Sequence, residues 1–108
     1  MVELEEISPR ELKDRLDRGE RPVILDVREP AEVAIAPFPD SIHIPMGEVG
    51  ARLTTLDPKA ETVVVCHHGI RSAQVAMYLA HTGFRRVLNL AGGTEAWAIS
   101  VDPTMRRY

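Results

Sequence analysis

VVVCHHGIRS, Val63 to Ser72, passes from an apolar β-branched run through a glycine turn into a segment with helical spacing. TVVVC, from Thr62, is too short for a helix and reads as a central strand covered on both faces. Beyond the turn, Val75, Ala76, Leu79 and Ala80 share one helical face, with Ser72 opening the helix. Gly83-Phe84 closes it in a Schellman ending that brings Phe84 back toward Leu79. A strand that feeds a helix through a glycine turn is half of a β-α-β unit, so this stretch decides the fold class.

The same grammar continues on either side. RVLNL, from Arg86, is a further strand, and Gly92-Gly93 leads into a short helix containing Trp97. No pattern assigns structure to about ten residues after Trp97. Toward the N-terminus, Ser8-Pro9-Arg10-Glu11 sets an N-cap, a first-turn proline and a capping-box glutamate. A helix through Leu12 and Leu16 to about Arg18 follows, with Gly19 as its cap. PVILDV, Pro22 to Val27, is a second buried strand. Pro37, Pro39 and Pro45 rule out a long helix in the next section, which leaves Ser41 to Ile44 as a short strand. Val49, Leu53 and Leu56 are spaced for a helix over Gly47 to Leu56.

Alternating strands and helices, with strands that are continuous apolar runs, predict an α/β chain: a parallel sheet with helices on both faces. The length of 108 residues suits one domain over 1–108, and 44% apolar with 27% charged residues is ordinary globular composition. A net charge of −3, without a basic stripe, argues against nucleic acid. No run approaches the about 18 apolar residues of a membrane helix, and the acidic start has no secretion signal; a cytoplasmic address is the expectation. With a single cysteine, neither an internal disulfide nor a thiolate-rich metal site is available.

A lone cysteine is ordinarily a small buried hydrophobe. Cys66 differs in its setting. It closes a strand at the edge where parallel sheets bind ligands, and a helix begins beside it with free N–H groups. Gly69 lets the turn curl into an anion-binding nest, and Arg71 adds a guanidinium, so the thiol is placed to ionise readily. The adjacent His67 and His68 invite a metal reading, but neighbours on a tight turn seldom converge on one ion, and no metal is expected. They read as rim residues that tune charge, while His43 and His81 carry no assigned role.

These residues resemble the rhodanese-like sulfurtransferases, whose active loop is a cysteine, four residues and an arginine, here Cys66-His67-His68-Gly69-Ile70-Arg71 followed by Ser72. ILDVREPAE from Ile24, His43-Ile44-Pro45, and GFRRVLNLAGGTEAW from Gly83 extend the resemblance along nearly the whole chain. It implies a small, mostly parallel sheet of about five strands. It also implies that Cys66 takes a sulfane sulfur from an anionic donor such as thiosulfate, holds it as a persulfide and passes it to cyanide or a thiol. His67, His68, Gly69, Ile70, Arg71 and Ser72 would form the substrate cradle, with Asp26 and Arg28 supporting it from behind. No cofactor is implied, and the acceptor could also be a protein. One segment departs: Ala36-Pro37-Phe38-Pro39-Asp40-Ser41 replaces the family's Gly-His-Ile-Pro-Gly-Ala.

Rival readings share these residues. A cysteine phosphatase would place five residues, not four, between Cys66 and Arg71. A regulatory module would commonly lack the cysteine. A persulfide carrier for cofactor or tRNA thiolation would use the same site as a detoxifying sulfurtransferase.

Overall fold

The computed structural model describes residues 4–108. Five strands form one sheet: β1 (Glu5–Ile7), β2 (Val23–Asp26), β3 (Ile42–His43), β4 (Glu61–Val65) and β5 (Arg86–Leu90). Their order is β1-β5-β4-β2-β3 and every pairing is parallel. The four α-helices are α1 (Pro9–Asp17), α2 (Pro30–Ile35), α3 (Ile70–His81) and α4 (Gly93–Ser100). Successive side chains of β2 and β4 alternate between two cores, which is why their sequences are apolar throughout. Leu25 and Val64 pack with Val75, Leu79 and Phe84 on the α3 side. Ile24, Val63 and Val65 pack with Leu12 of α1 and Trp97 of α4 on the other. Among the described residues no helix is long and apolar enough to cross a membrane.

Local signals at element ends are realised closely. The Ser8 hydroxyl accepts the Glu11 N–H at 3.1 Å, and the Glu11 carboxylate accepts the Ser8 N–H at 3.2 Å. At the end of α1, the N–H of Glu20 reaches the Arg15 carbonyl across Gly19, whose φ is +89°. The same closure ends α3: Gly83 sits at φ +98° and the Phe84 N–H donates to Leu79 at 3.2 Å. Cys66 lies one residue past β4, and Ser72 lies inside the first turn of α3, whose cap is Gly69.

Four segments differ from the sequence expectation. The helix expected over Gly47 to Leu56 is two 3₁₀ turns, Met46–Glu48 and Leu53–Thr55. Gly47 and Gly50 each cost an α-helix about 1 kcal/mol, and Thr54-Thr55 adds stiff side chains. The tighter turns still bury Val49 and Leu56. β1 is additional; Glu5 and Glu6 are exposed and only Ile7 is buried, so no apolar pattern announces it. α2 is also additional, with Pro30 in its first turn and a capping box between Glu29 and Glu32. The atypical Ala36 to Ser41 segment is more than a surface loop: Ala36 and Phe38 are buried, and the Phe38 ring lies 4.8 Å from Trp97. Asp40, where the resemblance places glycine, adopts φ +53°, a left-handed conformation that aspartate tolerates better than most residues.

Candidate active site

Asp26 at the end of β2 pairs with Val65 at the end of β4, so Arg28 and Cys66 leave the sheet at the same edge. Cys66 is 1% exposed. Its Sγ accepts the Gly69 N–H at 3.1 Å and lies 3.3 Å from the Ser72 hydroxyl. Gly69 is required twice over. Its φ is +93°, and a Cβ there would lie 3.1 Å from the Gly92 nitrogen. The opposite side of the loop is held by α4, whose Thr94 and Glu95 N–H groups donate to the Cys66 and His67 carbonyls at 2.9 and 3.1 Å. Thus two helix starts converge on the loop: α3 faces the sulfur and α4 grips the backbone.

Burial pushes the Cys66 thiol up, but the Ser72 hydroxyl and the backbone N–H groups of Ser72, Gly69 and His68 outweigh it, leaving the thiol below its ordinary value. Donors aimed at sulfur favour the anion, so their removal raises the pKa. Alkylation of Cys66 by iodoacetamide should therefore rise with pH through a midpoint below that of a free thiol, and Ser72→Ala should move the midpoint upward. A midpoint unmoved or lowered in that variant would remove the hydroxyl from this role.

Behind Ser72 stands Asn89 of β5, a residue the sequence reading does not single out. Its Oδ1 and Cys66 Sγ are alternative acceptors for the single Ser72 hydroxyl proton, while its amide donates to the Glu6 carboxylate and the Gly69 carbonyl, each at 3.0 Å. Asn89 therefore anchors both groups that touch Sγ.

Asp26 and Arg28 form an ion pair with both side chains 0% exposed, although Glu29 and Pro30 of the same turn are exposed. Arg28 forks onto Asp26 through Nε and Nη2, and also donates to the Ala36 carbonyl at 2.7 Å. His43, without a role in the sequence reading, is 2.7 Å from the Arg28 carbonyl through Nε2. Arg71 turns both terminal guanidinium nitrogens, Nη1 and Nη2, to Glu32 of α2, at 2.7 and 2.9 Å. Glu32 is thereby held at a pKa of about 2, chiefly by Arg71 and against the effect of burial, with help from the Glu29 N–H and the Tyr108 hydroxyl. Arg71 reaches the site as half of an ion pair rather than as a free cation.

His67 is also less charged than its place on the rim implies. Burial, and then the neighbouring His68, push its pKa down, and its Nε2 has no hydrogen-bond partner among the described residues. The His67 ring stacks on Tyr108, with centroids 3.9 Å apart and planes at 15°, and lies 3.9 Å from the His68 ring. His68 and Ile70 point outward, with Ile70 71% exposed. The structure thus gathers Cys66, Gly69 and Ser72 at the sulfur, sets His67 and Arg71 on the rim, and leaves the side chains of His68 and Ile70 outside. Among the described residues no three His, Cys, Asp or Glu converge as a metal site.

Comparison with known proteins agrees with this architecture. The family model described as Rhodanese-like domain matches residues 8–100. A protein of Allochromatium vinosum named sulfurtransferase is 39% identical over 93 residues, 86% of this chain and 87% of the relative. The thiosulfate sulfurtransferase GlpE of Ectopseudomonas mendocina is 34% identical over 97 residues, 90% of this chain and 87% of the relative. The crystal structure of a rhodanese-like domain protein from Staphylococcus aureus superposes with a TM-score of 0.84 at 30% identity, covering 97% of this chain and 99% of that one.

Proposed function

This chain belongs to the rhodanese-like family, and we propose that it is a sulfurtransferase that carries sulfane sulfur as a persulfide on Cys66, taking it from thiosulfate and giving it to cyanide or a small thiol. The observation that carries this reading is a single sulfur at the ligand-binding edge of a parallel sheet with the Gly69 N–H and the Ser72 hydroxyl aimed at it. A hydrophobe in the same place would have no use for polar donors.

In the first half-reaction the Cys66 thiolate attacks the outer sulfur of thiosulfate. The new S–S bond forms as the donor's S–S bond breaks, and its electron pair leaves with sulfite. The loop N–H groups, already directed at Sγ, stabilise negative charge on the outer sulfur of the persulfide. In the second half-reaction the acceptor attacks that outer sulfur, thiocyanate or an acceptor persulfide departs, and the Cys66 thiolate returns. No net oxidation occurs, and no cofactor enters the balance.

The Glu32–Arg71 pair bears on donor binding. Since Glu32 offsets its charge, Arg71 acts less as a bare anion hook than as a brace joining α2 to the start of α3, and the loop N–H groups carry the larger share of anion recognition. The test is intact mass after thiosulfate treatment of the reduced protein. One sulfur atom's mass should appear, be removed by cyanide or a reducing thiol, and be absent in Cys66→Ala. No adduct, under conditions where a known rhodanese loads, would overturn the proposal.

A further inference from the structure

Cys66 is 1% exposed, so any acceptor must pass an opening beside its loop. Tyr108 lies beside that loop with its ring on His67, brought there from far along the chain. Its hydroxyl accepts from Arg28 Nη1 at 2.9 Å and donates to Glu32 Oε2 at 3.0 Å. Its ring stacks on His67, the residue after the cysteine. Arg28 follows β2, Glu32 belongs to α2 and His67 belongs to the loop, so one side chain spans three elements around the same edge of the sheet. The hydroxyl also links two ion pairs, Asp26–Arg28 and Glu32–Arg71. The segment leading to it is tethered: Val101 and Met105 pack against the α4-side core, and Arg107 pairs with Glu95 at 2.7 Å.

We propose that Tyr108 is a specificity-determining residue, a wall across the mouth of the site that narrows it for bulky sulfur acceptors more than for small anions. This rests on the sulfurtransferase reading given above. Tyr108 is 38% exposed and is held at its hydroxyl by two hydrogen bonds to charged groups and at its ring by His67 and the Arg28 guanidinium, so it rests closed over the loop without being locked in a core. Such a wall swings aside in a minor fraction of molecules. A reagent that requires the open arrangement reacts at a rate reduced by that fraction, whereas one small enough to pass is spared.

The test compares alkylation of Cys66 by iodoacetamide with alkylation by a fluorescein-bearing maleimide, in native protein, Tyr108→Ala and Tyr108→Phe. Tyr108→Ala should raise the ratio of bulky to small rates about tenfold, the factor expected when a mostly closed state is abolished. Tyr108→Phe keeps the ring on His67 and loses the hydroxyl bonds, so it should show a smaller rise, and it keeps the series readable if the Ala variant unfolds. In sulfur transfer, the ratio of kcat/KM for glutathione to that for cyanide should move in the same direction. A ratio unchanged in both variants, or both alkylation rates rising together, would overturn the proposal. Because alkylation reads the thiol without any sulfur transfer, failure of the native protein to form a persulfide would overturn the sulfurtransferase reading, while an unmoved ratio would overturn the wall.

Discussion

Gly93→Ala is expected to cost this protein both stability and sulfur transfer. A Cβ at position 93 would stand 2.4 Å from the carbonyl oxygens of both Cys66 and His67, and φ there is +62°. Neither oxygen is free to retreat, since Thr94 and Glu95 hold them at 2.9 and 3.1 Å from the first turn of α4. The left-handed backbone costs about 1–2 kcal/mol with a side chain present. Separating the new methyl from two backbone oxygens adds about 1–3 kcal/mol of overpacking. The relief must come from a shift of roughly one ångström between α4 and the Cys66 loop, and misplacement on that scale can cost about 10²-fold in rate. Urea denaturation and thiosulfate–cyanide kinetics read the two effects. Gly19→Ala separates them: φ is +89° but no atom of the described residues lies within 4 Å of the added Cβ, so it should lose about 1–2 kcal/mol and leave kcat/KM alone. Native-like activity in Gly93→Ala would mean that α4 does not fix the loop.

That contact shows which parts of the molecule could be read from the sequence. Ser8, Pro9 and Glu11 on one side and Gly83-Phe84 on the other act within a few residues of themselves, the first opening α1 and the second closing α3 as their chemistry dictates. The Val63–Val65 run followed by Cys66 and Gly69 places the candidate turn for the same reason. Glu32 was harder. It sits 39 residues from Arg71, and nothing in its local pattern points there; the same carboxylate also accepts the Glu29 N–H at 3.1 Å. Asn89 looks like one polar residue in an apolar strand until the sheet order sets β5 beside β4 and brings it behind Ser72. Tyr108 carries no local signal, because its partners lie 76 and 80 residues away. The resemblance alone sets Arg28 behind the cradle; beyond the neighbouring Asp26, nothing in its stretch of sequence reveals that the Ala36 carbonyl and the Tyr108 hydroxyl complete the enclosure of its guanidinium. Local free energies are written in short windows of sequence; enclosure is a property of the folded whole.

That enclosure makes Asp26→Ala the substitution with the largest expected loss of stability. Both side chains of the Asp26–Arg28 pair are 0% exposed, and the carboxylate takes Nε and Nη2 of the guanidinium at 3.0 and 2.7 Å as well as the Arg28 backbone N–H at 3.1 Å. Removing it leaves a buried cation with one carbonyl and one phenol oxygen for partners, and uncompensated buried charge of this kind costs about 3–5 kcal/mol. Against a total stability of about 5–15 kcal/mol for a domain of this size, that is a large share. The melting temperature should fall by more than about 10 °C. Replacing both partners together, Asp26→Leu with Arg28→Met, should recover much of the loss, since it removes the orphaned charge rather than exposing it. The double variant should nonetheless differ from native at the site, because Arg28 also holds the Ala36 carbonyl and the Tyr108 hydroxyl. Its bulky-to-small alkylation ratio at Cys66 should therefore rise with stability largely restored. If Asp26→Ala instead melts within a few degrees of native, water reaches Arg28 readily and the pair is not the closed structural element that its geometry describes.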